Sequence, residues 1–323
     1  MAQYFTERLQ KVFHMIFTSY NQEMAQEGLR QLELIVNNQH SPEQPNHRAL
    51  RNDMTTSLEN EIDTKEDALK IANDPEAREI ADAYALLARI YAGPRFTWEE
   101  SNFPENNMRT YQCLHDSIRR CSPIGNLQAL RINGTITPTV EKDMLISFDD
   151  AFRIVYNYAE QGDAFCQYII GNVFFWRDDD RINLARDMIT PPRKSWSKRI
   201  QQSLQKGSIQ ERLAALQGTV SDETLQENAT KLAKEWFNKA LDNGLAMFQG
   251  NLRNIYIDEG DFDNARRVAL TAAELGNPTM MLYTGLDCHE HGKFEDAFTW
   301  FTKGAALGQA ESTAELADYY YHF

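Results

Sequence analysis

A spacing of 32 residues in the C-terminal third constrains this chain more than any other feature. Gly244, Gly276 and Gly308 stand 32 apart, as do Gly260 and Gly292. Between them, Phe262-Asp263-Asn264-Ala265 recurs as Phe294-Glu295-Asp296-Ala297, and Phe148-Asp149-Asp150-Ala151 stands at the same offset before Gly162. Ala233, Trp236, Phe237 and Ala240 precede Gly244 just as Ala297, Trp300, Phe301 and Gly304 precede Gly308. A period of this length marks stacked supersecondary units, each unable to bury its apolar stripe alone.

A second pattern follows each glycine. Cys166, Ile170, Gly171 and Phe174 lie 4, 8, 9 and 12 residues after Gly162, and Ser312, Leu316, Ala317 and Tyr320 lie at the same offsets after Gly308. Those offsets share one helical face. The unit is therefore a helix pair. Helix A runs from just after one glycine to about Gly260 or Gly292. Helix B opens at the Phe-acid segment, whose carboxylates suit a helix N-terminus, and closes on the next glycine as its C′ cap.

Gly260 to Ala265 (Gly-Asp-Phe-Asp-Asn-Ala) and Gly292 to Ala297 (Gly-Lys-Phe-Glu-Asp-Ala) resemble the inter-helix turn of tetratricopeptide repeats. Ala272-Ala273-Glu274-Leu275-Gly276, Ala305-Ala306-Leu307-Gly308 and Ala159-Glu160-Gln161-Gly162-Asp163-Ala164 resemble the ending of the related Sel-one-like repeats. The resemblance is carried by residues 145–177 and 225–323 and extends more loosely over 78–145. It implies an all-α, right-handed superhelix of about six helix pairs with N-terminal capping helices. It also implies non-catalytic protein binding, as an adaptor, a scaffold or a regulator. The resemblance most often implies bacterial signalling or host and competitor interaction, and some members of the family neutralise secreted toxins as immunity proteins.

Residues 1–62 read as a helical cap (Tyr4–Tyr20 and Glu23–Val36) and a polar loop with Pro42 and Pro45; residues 63–323 read as the repeat array. Gly162 and Gly244 are 82 residues apart, so an insertion at about 178–222 interrupts one unit. It holds Arg193, Lys194, Lys198, Arg199, Lys206 and Arg212 against Glu211, with Trp196 among them. The net charge of the whole chain is −14, so this cluster of +5 leaves −19 elsewhere. An acidic chain disfavours nucleic acid and anionic membranes as partners. A basic patch with an aromatic suits an acidic protein or single-stranded nucleic acid; the plain alternative is a solvated helical excursion. The longest charge-free run, Ala164 to Trp176, has 13 residues, short of the roughly 20 needed to span a bilayer. Four scattered cysteines point to reduced thiols in a cytoplasm.

Sites of chemistry are scarce. Asp287-Cys288-His289-Glu290-His291 diverge around a helix and cannot converge on one ion. Asp178-Asp179-Asp180 reads as a solvated turn or a hard-cation ligand. There is no phosphate loop and no nucleophile elbow, so we expect no catalytic residue, no metal and no cofactor. What remains is surface. By resemblance, the A helices line a concave groove that takes a protein or peptide. Its positions are Phe165, Tyr168, Asn172, Phe175 and Trp176 in the first clear unit, and Met247, Asn254, Ile257 and Asp258 in the second. Leu286, His289 and Glu290 follow in the third, and Asp318 and Tyr321 in the last. Aromatics so dense in one unit either contact a partner or pack beneath the insertion or the N-terminal cap. The terminal Tyr319-Tyr320-Tyr321-His322-Phe323 either packs on the preceding B helix or mediates self-association.

Overall fold

The structure is a computed structural model that describes residues 3–37, 64–93, 97–98, 103, 105–132, 141–191, 220–247 and 249–322. It is all-helical, with no strand among the described residues. In chain order the helices are α1 (Glu7–Phe17), α2 (Gln22–Asn37), α3 (Lys65–Asn73), α4 (Glu79–Tyr91), α5 (Asn107–Arg119), α6 (Pro123–Ile132), α7 (Phe148–Glu160) and α8 (Ala164–Phe175). They continue as α9 (Asn183–Ile189), α10 (Asp222–Asp242), α11 (Gly250–Asp258), α12 (Phe262–Glu274), α13 (Pro278–Glu290), α14 (Phe294–Ala306) and α15 (Ala310–His322). None is long and apolar enough to cross a membrane. Residues 39–62, expected as a polar loop, lie outside the described residues.

The junctions between units are built locally. Gly162, Gly244, Gly276 and Gly308 all have positive φ, from 88° to 101°, a conformation glycine adopts without a Cβ penalty. After Gly276, the Asn277 amide reaches back to the Ala272 carbonyl (3.0 Å), and the Asp163 amide does the same to Tyr158 (3.1 Å). This is the bond that closes a Schellman motif. The same residue then opens the next helix: Asp163 accepts from the Cys166 amide (2.8 Å) and Asn277 from Met280 (3.1 Å). One glycine and one capping residue thus turn B into A.

The A–B pairs α4–α5, α8–α10 and α13–α14 have the tightest contacts, and most other packing joins successive helices. In two of these pairs a glycine admits an aromatic ring. A Cβ on Gly171 would stand 2.5 Å from Phe237, and one on Gly285 would stand 2.5 Å from Phe301. Both glycines lie nine residues after a turn glycine and both rings seven before one, so the contact repeats with the sequence.

The insertion enters between α8 and α10, where the A–B turn would be. Only 191 and earlier, and 220 onward, are described; the basic residues Arg193, Lys194, Trp196, Lys198 and Arg199 lie outside. The described part is ordered into a 3-10 turn (Asp178–Asp180) and α9, which packs on α7 and α10. α10 begins at Asp222, twenty-two residues before Gly244, whereas α12 and α14 begin fourteen before theirs. Its two extra turns receive the insertion: Asn228 donates to the Ile189 carbonyl (2.7 Å), and Arg177 bonds Asp222 (3.1 Å).

Candidate functional site

The first part of the A-helix face is covered by the chain's own N-terminus. Phe5 stacks on Phe165 with centroids 5.6 Å apart, and Phe13 meets the same ring at 4.8 Å. Phe165 is 4% exposed as a result, and Met247 is equally enclosed. These two residues, expected to face a partner, belong to the core. The apolar surface of Phe165 gains more from Phe5 and Phe13 than from water. Phe175 is half-buried, packed edge-on against Trp176 (4.8 Å) and against Phe237 (6.0 Å).

A buried polar cluster holds that N-terminal segment down. The Arg78 guanidinium lies 4.0 Å over the Tyr4 ring and donates to the Tyr4 carbonyl (2.6 Å), the Ala72 carbonyl (2.8 Å) and Asp82 (3.0 Å). Asp82 also accepts from Ser122 (2.7 Å) and Tyr4 Oη (3.3 Å). The Tyr4 amide donates to Asp163 (2.9 Å), the residue that caps α8. Burial pushes the Asp82 carboxyl up to about 6, against the pull of Arg78. The Arg78 pKa is raised: burial opposes its charge, but Tyr4 and Asp82 outweigh it.

Further along the same face the structure leaves a cavity of about 380 Å³. One wall is α6 (Leu127, Gln128, Arg131, Ile132) and the other is α8 (Tyr168, Ile169, Asn172, Val173, Trp176). Arg89 of α4 and Asn251 of α11 complete it, with Asp178. Three positions picked out by the repeat, Tyr168, Asn172 and Trp176, therefore meet here. Their spacing of four puts them on one stripe of α8.

The charged groups of the lining are engaged. Arg131 donates from Nε to Asp178 (3.0 Å) and makes a second, shorter contact to the same carboxylate through Nη2. Its guanidinium lies 5.6 Å over the Trp176 ring, and burial lowers its pKa. Arg89, 3% exposed, donates to Tyr168 Oη (3.4 Å) and lies 5.5 Å over that ring. The Gln128 amide bridges the Ala85 carbonyl (3.1 Å) and Arg89 Nη1 (3.3 Å). The half-buried carboxamides of Asn172 and Asn251 make no hydrogen bond among the described residues, and Trp176 keeps 51% of its surface exposed.

Arg89, Gln128, Arg131 and Asn251 escaped the sequence reading because α4 and α6 lie where the repeat register loosens. Ala83, Leu87, Ala88 and Tyr91 keep the spacing of an A-helix stripe without a leading glycine, and this sequence signal places Arg89 beside such a stripe. Asp178 and Asp179 correct the expectation of a solvated turn or cation site: both are buried, with Asp179 bonded by Arg177 (2.7 Å) and approached by Arg186 (3.4 Å). Arginine neutralises the carboxylates, which could not be buried unpaired.

The other expected groove positions are scattered. Asn254, Asp258, Glu290, Asp318 and Tyr321 are exposed, while Ile257 and Leu286 are half-buried. His289 Nδ1 meets Tyr319 Oη at 2.8 Å. Tyr319 is buried against Phe301 (5.7 Å) in α14, whereas Tyr320 and Tyr321 are 77% and 87% exposed. No three His, Cys, Asp or Glu side chains come together as metal ligands among the described residues, and the four cysteines are free thiols. In comparisons with protein families, with characterised proteins and with solved structures, nothing matches this chain.

Proposed function

We propose that the chain is a non-catalytic, cytoplasmic binding module. Its stacked helix pairs would form a right-handed superhelix of the Sel-one-like or tetratricopeptide kind, holding an extended segment of a partner protein along the A helices. The observation that carries this reading is the open cavity between α6 and α8. It is lined by Tyr168, Asn172 and Trp176 at the spacing of an A-helix stripe and contains two carboxamides with spare hydrogen-bonding capacity. A half-exposed indole beside such groups is the composition of an interface centre rather than of a solvated helix face.

The partner would meet the part of the face that α1 leaves open. The double variant Trp176→Ala, Asn172→Ala tests this, because neither side chain is core. A partner co-purified with the full chain should be lost with the double variant while its thermal midpoint stays within a few degrees. Retention of the partner would overturn the assignment of this face.

A further inference from the structure

The size of the cavity limits what enters it. At about 380 Å³ it sits near the small end of ligand pockets, which run from about 300 to 1,000 Å³. That admits one large side chain and excludes a helix, about 10–12 Å across with its side chains. The walls narrow the choice further. Ile132 and Val173 offer apolar contact from opposite helices, while Trp176 offers a half-exposed indole with the Arg131 guanidinium beside it, and Arg89 lies behind Tyr168, 3% exposed. Guanidinium and indole groups both favour π-surfaces over aliphatic ones. A cationic guest would meet two arginines against one aspartate. An acidic guest would find the Arg131 fork already held on Asp178 by two contacts. An aromatic ring suits the indole and the apolar residues and leaves that pair intact.

The carboxamides add the second element. Asn172 and Asn251 come from different helices, α8 and α11, and each carries a donor and an acceptor that nothing described uses. A peptide unit presents the complementary acceptor and donor. We infer that this cavity is an anchor pocket for one aromatic side chain of the partner, carried on an extended segment whose flanking peptide units pair with Asn172 and Asn251. The inference rests on the peptide-binding reading above.

The test uses blocked pentapeptides, acetyl-Ser-Ser-Xaa-Ser-Ser-amide, with Phe, Tyr, Trp, Leu, Glu or Lys at the centre. They are titrated into the full chain labelled with ¹⁵N, and the indole N–H resonance of Trp176 is followed, assigned by its loss in Trp176→Phe. The Phe, Tyr and Trp peptides should shift that resonance, with at least tenfold tighter binding than the Leu, Glu and Lys peptides. Asn172→Ala should weaken them by at least threefold. Equal binding of Leu and Phe, tighter binding of Glu, or an unmoved Trp176 signal would overturn the anchor. If no pentapeptide binds, yet a co-purified partner is lost with Trp176→Ala, Asn172→Ala, the face stands and the aromatic anchor falls. If aromatic peptides bind but the partner survives that double variant, the anchor stands and the face does not carry the partner.

Discussion

The unit formed by α8 and α10 and the unit formed by α13 and α14 share one contact and differ in almost everything around it. In both, a helix-A glycine lies under a helix-B phenylalanine: Gly171 under Phe237, Gly285 under Phe301. The first unit is interrupted by the insertion between its helices, covered by Tyr4, Phe5 and Phe13, and bordered by the cavity. The second has a short turn, and the N-terminal segment approaches it only through Tyr20, beside the Gly276 turn, among the described residues. The pair contact is therefore independent of the connection between its helices. Loop length costs little once the two faces match, since closure entropy grows only logarithmically. What the insertion and the N-terminus change is the surroundings of the pair, and with them the surface left open.

Truncating the shared ring is the strongest way to break that equivalence. Phe237→Ala and Phe301→Ala should each cost about 3–5 kcal/mol in urea unfolding. Phe237→Ala should cost more, because Phe237 also contacts Tyr168 (6.1 Å) and Phe175 (6.0 Å). Equal losses would show that these two α8 rings add nothing beyond what Tyr319 gives Phe301. Gly171→Ala and Gly285→Ala come next. A methyl 2.5 Å from the ring forces it aside, and overpacking of about 1–3 kcal/mol outweighs the roughly 0.5–1 kcal/mol that alanine adds to a helix. A gain in melting temperature at either site would refute the close approach.

The anchored N-terminus of the first unit has a pH signature. Asp82 titrates near 6 in the fold and near 4 when unfolded, so the folded state binds more protons between those values. Its contribution to stability is full below about 4 and is lost as pH rises through about 6, the reverse of ordinary acid denaturation. Asp82→Asn should flatten the stability curve over that window, by roughly 2–3 kcal/mol. A curve unchanged by the substitution would discount the buried cluster as the source.

The smallest test contrasts the caps of the two B helices. Ser221 caps α10 by accepting from the Thr224 amide (3.2 Å), whereas Lys293 makes no side-chain cap for α14. Asp261, at the equivalent turn, caps α12 by accepting from Asn264 (3.1 Å). Ser221→Ala should therefore lose about 1 kcal/mol, and Lys293→Asp should gain a similar amount. Thermal melts of the two variants should move in opposite directions.

Helix pairing was legible because its determinants are local. The turn glycines, the Asp or Asn after Gly162 and Gly276, and the Phe-acid segments specify caps within five residues. The Gly171–Phe237 contact was foreshadowed by the matching of Trp236-Phe237 with Trp300-Phe301. The cavity was half legible. The α8 stripe named Tyr168, Asn172 and Trp176, but the α6 wall lay in a stretch where the repeat is worn. Phe165 and Met247 were misread because a repeat offset says which face a residue occupies and not what covers that face. Asp178 and Asp179 were misread for the related reason that their arginine partners are not all beside them: Arg131 reaches Asp178 across 47 positions, while Asp180 stays exposed as expected.

The sequence alone thus determined the helices, their ends and their pairing, since a period of 32 residues encodes stripes that must stack to leave water. Only the tertiary structure decided which part of the A-helix face stays open. That outcome depends on contacts such as Tyr4 to Asp163, made across 159 residues, where no local pattern records that two distant surfaces fit. The N-terminus closes one part of the face over Phe165, and a cavity lies between α6 and α8 further along it.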